Sequence, residues 1–259
     1  MRASVFLLPA LSASVWAAPT FPKITAAVSD NVQALSQYFN LVASKVQQSR
    51  ILGQAPVCDL PKVSLPAAAA GLPPPSPGLY LKHIAIGRGT QNYTCDLSNS
   101  TAVPQAAGAV ATLFNASCVA ATYPDVGAML TRASLQFDLS ESEALQRLAP
   151  SNLGVSGAHY FTTLTTPYFD INTPQWQLGA SPFGKNASIA APADAGKGLK
   201  GEGAVALLKL SSKPGGSGGL QEVYRVETVG GSPPATCQGM PATFEIQYST
   251  QYWFYASKA

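Results

Sequence analysis

The chain has 259 residues, a formal charge of +3 and only 11% charged residues, with no basic run, so it lacks an electrostatic footprint for nucleic acid or for an anionic membrane surface. Its four cysteines, Cys58, Cys95, Cys118 and Cys237, match no zinc-ligand spacing and read as two disulfides, with all three pairings open.

At the start, Met1-Arg-Ala-Ser-Val-Phe-Leu-Leu-Pro followed by small residues up to Ala17 has the charge, apolar run and cleavage site of a secretory leader over residues 1–17. No later run reaches the roughly 20 apolar residues of a membrane span, and no hydrophobic tail follows Tyr255 to serve a lipid anchor. A secreted, extracellular protein is the expectation. The sequons at Asn92, Asn99, Asn115 and Asn186 agree with it and predict an N-glycosylated chain.

Residues 18–55 form an N-terminal helical extension. Within it Val28, Val32, Leu35, Phe39, Val42 and Val46 recur at spacings of four and three, the stripe of one amphipathic helix between Thr25 and Gly53. Ser29 or Asp30 suits its start and Gly53 the residue after its end. Its polar face is glutamine and serine, so the stripe is expected to pack on protein rather than lie on a membrane. Residues 56–77, Pro- and Ala-rich and closing on Pro73-Pro-Pro-Ser-Pro77, read as an extended connector, with Cys58 stapling it to the main domain.

Residues 78–259 read as a β-rich domain, opening on a strand, a kink at Gly87-Arg-Gly89 and a second strand ending in Cys95. Strand side chains alternate, so the sequon at Asn92 puts Tyr93 and Cys95 on the inner face. Val110, Thr112 and Phe114 continue the alternation. Ser140-Glu-Ser-Glu143 reads as the capping box of a short helix stopped by Pro150. Further strands are predicted at His159–Thr163, Tyr168–Ile171, Ala204–Leu210, Glu222–Val229, Phe244–Tyr248 and Tyr252–Tyr255. Ala180–Gly203 reads as a long exposed loop. The fold class is therefore all-β, a sandwich or barrel that is mostly antiparallel, with an N-terminal helix and a short internal one.

The blocks Leu79–Cys95, Gly108–Phe114, Gly157–Phe161, Thr166–Asp170 and Val223–Gly231, with Pro233–Cys237 and Tyr252–Tyr255, resemble a secreted family of unknown function known mainly from filamentous fungi, domain-of-unknown-function family 3455. The resemblance covers roughly residues 60–256 and implies fold and compartment rather than activity. Some members carry the label malate dehydrogenase. Simpler bacterial relatives resemble the Tyr93/Cys95 and Gly230-Gly231/Cys237 blocks together, which implies pairing of Cys95 with Cys237 and leaves Cys58 with Cys118.

The dehydrogenase label demands a glycine-rich turn inside a βαβ unit. Gly87–Asn92 fails at its sixth position, and Gly201-Glu-Gly-Ala-Val-Ala206 follows a loop, so no cofactor is expected. Gly215-Gly-Ser-Gly-Gly219 spells a nucleophile elbow but lacks the strand before and helix after that would strain the serine into reactivity. His83, in an apolar strand, reads as a hydrogen-bonded core residue. The segment 157–176 brings His159, Tyr160, Tyr168, Asp170 and Trp176 close together, an imidazole, a carboxylate and aromatic faces that suit a sugar. A structural His159–Asp170 pair is the simpler reading of the first and fourth. The conclusion from sequence is a non-enzymatic surface or matrix protein, structural or carbohydrate-binding, whose partner is a cell-wall or other extracellular polysaccharide. The alternative is an extracellular hydrolase using His159 and Asp170.

Overall fold

The computed structural model describes residues 30–52 and 58–258. The expected leader at 1–17, with Val28, Ser29 and Gly53, lies outside the described residues. Helix α1 (Asp30–Leu52) and two single 3-10 turns, Leu60–Lys62 and Ala67–Ala69, precede the sheet. Then follow strands β1 (Leu79–Thr94) and β2 (Gln105–Asn115), and helices α2 (Ser117–Thr122), α3 (Pro124–Ser134) and α4 (Leu139–Leu145). The chain returns to strands with β3 (Arg147–Leu148), β4 (Leu153–Thr163), β5 (Thr166–Asn172), β6 (Gln177–Ile189), β7 (Leu207–Ser212), β8 (Leu220–Gly230) and β9 (Thr243–Ser257). The sheet runs β2-β1-β9-β8-β7-β6-β5-β4-β3. A further antiparallel pairing of β2 with β4, Ala111 opposite His159 through Phe114 opposite Val155, closes it. The fold is an eight-stranded antiparallel barrel, with β3 a short addition on β4. Closure removes the edges that an open sheet would leave unpaired.

The side chains divide into two cores. Inside the barrel, Phe169, Phe183, Leu210, Val223, Tyr248, Tyr252 and Phe254 interlock. Outside it, Ile84, Ile86, Phe114, Tyr224, Val226, Trp253 and Tyr255 pack under α2, α3 and the connector. Strand β1 is therefore buried on both faces from His83 to Gly89 and alternates only toward its end, where Gln91 and Tyr93 are buried and Thr94 is exposed. The expected kink at Gly87–Gly89 is absent, because both glycines sit inside one continuous strand paired with β9. A Cβ on Gly87 would enter the Tyr252 ring and one on Gly89 would strike the backbone of Val110 and Ala111. These glycines mark close approach rather than a break.

Several boundaries differ from the sequence reading. Residues 180–189, expected as the first part of the loop, belong to β6, hydrogen-bonded by β5 on one side and β7 on the other; of the expected loop, only 190–203 is largely irregular. The two strands expected at 244–248 and 252–255 are one. Its middle is polar but buried, and α3 satisfies it: Ser249 bonds Ser134, and Gln251 donates to Thr131 while accepting from Trp253 Nε1 at 3.0 Å. Helix α3 lies where the sequence reading placed no element; Pro124 opens it, and Val126, Leu130 and Ala133 mark its inner face. Helix α4 starts earlier than the expected box, on Asp138, whose Oδ1 accepts from the Ser140 amide at 2.8 Å.

Three devices fasten the outer layer. Arg88, fully buried, donates to the carbonyls of Ser134, Phe137 and Tyr248 and to the Gln247 side chain, gripping the C-terminal end of α3. Lys209 and Glu222 pair at 2.9 Å beneath the connector, where Glu222 accepts from the Ser76 amide and hydroxyl while Lys209 donates to Pro74 O and the Tyr224 hydroxyl to Pro73 O. The disulfides are Cys58–Cys118, from connector to α2, and Cys95–Cys237, from the end of β1 to the β8–β9 segment. Helix α1 packs on α3, with Lys45 bonded to Asp125 at 2.9 Å.

Candidate functional site

The β4–β5 hairpin separates the residues that sequence proximity had gathered. Its register sets His159 opposite Phe169, Tyr160 opposite Tyr168 and Ala158 opposite Asp170. Adjacent residues of a strand face opposite ways, so His159 and Phe169 point into the barrel while Tyr160, Tyr168 and Asp170 point out. His159 is 3% exposed. Its ring stacks on Phe169 at 4.1 Å and meets the edge of Tyr252 at 5.5 Å, and its Nδ1 donates to the Tyr168 carbonyl at 2.9 Å. Burial holds its pKa down to about 4, against the smaller pull of the Tyr168 carbonyl, so the ring is neutral.

The expected His159–Asp170 pair does not form. Asp170 instead accepts from the amide of Asn172 at 3.0 Å on the other side of the sheet wall. With them goes the acid–base couple of the hydrolase reading, because the barrel wall stands between the imidazole and the carboxylate. His83 is a core residue, as its apolar strand implies. It bridges Ser117 Oγ at 3.0 Å and Ser156 Oγ at 2.9 Å, and burial brings its pKa down to about 4.

Outside the barrel, Tyr160, Asp170 and Trp176 line one open groove of about 960 Å3 between β4, β5 and the α4–β3 corner. Tyr168 stands beside it, its ring 5.3 Å from that of Tyr160. Trp176 is 43% exposed and its backbone is fixed by a tight turn: Thr173 accepts its amide hydrogen bond through both O and Oγ1, and the Thr173 amide donates to Trp176 O at 2.6 Å. The groove also presents Arg147, Asn152, Asn172 and Gln175, which the sequence reading did not single out. Arg147 is held by its own bond to Asn152 O at 2.9 Å. Asn172 was legible in principle, since Tyr168, Asp170 and Asn172 alternate on one face of β5. Arg147 and Asn152 reach the groove only through the fold. Burial, with Tyr168 and Asp170 nearby, raises the Tyr160 hydroxyl above its ordinary pKa and keeps it a neutral donor.

The chemistry open to this surface is that of a binding platform, with flat rings for apolar faces and amides, a guanidinium and a carboxylate for hydroxyls. Among the described residues no three His, Cys, Asp or Glu side chains converge as a metal site. Every strand pairing described is antiparallel, and the Gly201–Ala206 letters run from irregular chain toward β7 with no helix after them. Ser217, in the Gly215–Gly219 loop, accepts from the amide of Ala180 at 3.0 Å. Gly218, at φ +67°, lies where a Cβ would strike the backbone of β6. That loop is a packing element. Of the sequon asparagines, Asn99 and Asn186 are exposed and Asn92 is half-buried. Asn115 is half-buried at the groove margin, where its Oδ1 accepts from the Ser117 amide.

The family model for proteins of unknown function DUF3455 matches residues 75–256, well over half of the chain and the whole barrel. The chain belongs to that family. A second model, also for proteins of unknown function (DUF2990), matches residues 9–73, so the helix and connector ahead of the DUF3455 barrel match a model of their own. No curated protein and no solved structure matches the chain. Its two disulfides fit an extracellular DUF3455 protein. Among the described residues no helix is long and apolar enough to cross a membrane.

Proposed function

We propose that this protein is secreted and binds carbohydrate of the cell surface or matrix, using the groove beside β4 and β5. The observation that supports the reading is Trp176, a large half-exposed ring carried on a hydrogen-bonded turn, in one groove with Tyr160 and Asp170. A sugar ring has an apolar face that stacks on an aromatic and a rim of hydroxyls that bond to amides and charged groups, and this surface offers both. The occupant most suited to an open groove is a stretch of polysaccharide rather than a single small molecule enclosed on all sides.

The test is a panel of polysaccharides and oligosaccharides titrated against the wild type, Trp176→Ala and Tyr160→Ala. Loss of one anchor is expected to weaken binding by about 1–3 kcal/mol, roughly five- to 150-fold, with the unfolding midpoint nearly unchanged. Absence of glycan binding by the wild type, or equal binding by Trp176→Ala, would refute the reading.

A further inference from the structure

The groove beside β4 and β5 holds a sequon of its own. Asn115, which opens Asn115-Ala-Ser117, lines the same groove as Tyr160, Asp170 and Trp176, and none of the other three sequon asparagines does. The amide of Ser117 donates to its Oδ1 at 3.1 Å. That leaves Nδ2, the atom that carries a glycan, on the other side of the carboxamide. Strand register sets the distance from Asn115 to the aromatic end. Phe114 pairs with Val155, which puts Asn115 beside Gly154, and Ala158 pairs with Asp170, so the chain beyond Asn172 runs back toward the level of Gly154. Asn115 and the turn that carries Trp176 are therefore separated by β4 alone, on the order of 10 Å at two strand spacings. The floor between them is low, because Gly154, Gly157 and Ala158 project little or nothing into it. Arg147 stands over that floor, its Nη1 3.3 Å from where a Cβ on Gly154 would sit.

We propose that Asn115 carries an N-linked glycan whose first sugars lie along this groove against Trp176, so that the protein's own glycan competes there with free polysaccharide. The inference rests on the reading that the chain is secreted and that the groove takes carbohydrate. The parts follow in the order a tethered chain would meet them: Nδ2 at the margin, a low floor that leaves room for a sugar, a guanidinium and the Asp170 carboxylate for hydroxyls, and the Trp176 ring for an apolar face. Tethering holds the sugars at a local concentration on the order of millimolar, which fills a weak site without tight contacts. The sequon is read on the nascent chain, so the later burial of Ser117 does not hinder attachment.

The test uses the chain secreted from a glycosylating host. Of the three tryptophans, Trp16 lies in the expected leader and Trp253 is 2% exposed, so acrylamide quenching of the native protein's fluorescence reads Trp176 almost alone. Peptide mapping is expected to find sugar on Asn115. Quenching is expected to rise at least about twofold in Asn115→Gln. It should stay at the wild-type value in Asn99→Gln, whose sequon lies on an exposed turn. Made without glycosylation, wild type and Asn115→Gln should quench alike, which separates the sugar from the substitution. Trp176→Ala should speed release of the Asn115 glycan by an N-glycosidase under native conditions at least about threefold, and Asn115→Gln should bind added oligosaccharides more tightly than the glycosylated wild type. If no preparation binds added oligosaccharide while the quenching and release results hold, the polysaccharide partner is lost and the self-bound glycan stands. An Asn115 without sugar, quenching indifferent to that sugar, release indifferent to Trp176→Ala, or equal and measurable binding of added oligosaccharide by wild type and Asn115→Gln would each overturn the proposal.

Discussion

At the scale of single residues, two neutral imidazoles set the response to acid. His83 and His159 are both buried, and burial lowers each pKa from an ordinary 6.5 to about 4. Between those values the unfolded chain takes up protons that the folded chain refuses. Their contribution to stability is therefore full above about pH 6.5 and is lost as pH falls toward 4, on the order of 3 kcal/mol for each ring. Urea unfolding followed from pH 7 to pH 4 is expected to show a steep fall in midpoint, and His159→Phe a shallower one. A midpoint flat across that interval would contradict the buried, neutral assignment. The same burial separates His159 from Trp176: His159→Ala, which empties a slot between Phe169 and Tyr252, is expected to lower the melting temperature by several degrees, whereas Trp176→Ala is not.

At the scale of elements, the connector is an ordered strap rather than a loose spacer. Lys209 and Glu222, 4% and 6% exposed and paired with each other, hold Pro74 and Ser76 through three hydrogen bonds. Hydrogen bonds from Ser76 and the Lys209 ammonium outweigh burial and keep the Glu222 carboxyl below its ordinary range. Its contribution is therefore present above the ordinary pKa of 4.5 and disappears as pH falls through the lowered value, adding to the histidine effect at the acid end. Removing one partner leaves a buried charge unpaired. Glu222→Ala is expected to cost roughly 3–5 kcal/mol, while Lys209→Met with Glu222→Leu should cost much less. Limited proteolysis between residues 58 and 77 reads the strap separately: cleavage should accelerate in both variants, because each loses hydrogen bonds to Pro74 or Ser76, while the unfolding midpoint falls much further in the single variant. Gly89 gives a second test, since Gly89→Ala drives a methyl into the backbone of β2 and is expected to destabilise the barrel seam without touching the groove.

At the scale of the whole molecule, barrel closure decides what can become a site. Each strand gives alternate side chains to a packed interior and to an outer wall, and helices and connector cover part of that wall. The described residues left open include the β4–β5 side with its groove and Val32, Phe39 and Val46 on α1. If the chain is secreted and glycosylated as proposed, the mature protein begins near Ala18 and loses mass on treatment with an N-glycosidase. An intact Met1 on a protein without glycan would remove the compartment on which a polysaccharide partner depends.

How much was legible in advance follows from the range of the forces involved. Tyr93 could be placed inward beside the Asn92 sequon because strand alternation is a local rule, and the many short apolar runs between Gly/Pro turns specified a β-rich domain. Strand β6 escaped because its glycine, proline and lysine argue against a strand locally; hydrogen bonds from β5 and β7 overrule that preference. The polar centre of β9 looked like a gap because Ser249, Thr250 and Gln251 find partners on α3 and β8, far away in the chain. Residues from His159 to Trp176 are neighbours along the chain, but which face each occupies depends on register. Pairing His159 with Phe169 turned the imidazole inward and left Tyr160, Asp170 and Trp176 outside. Composition and periodicity thus determined the class and the presence of an N-terminal helix, since these rest on contacts near in sequence; the pairing of Cys95 with Cys237 and of Cys58 with Cys118, across 142 and 60 residues, came from the family resemblance. The barrel's closure, the side of α1 left uncovered and the membership of the groove rest on contacts between residues far apart in the chain, and only the tertiary structure could decide them.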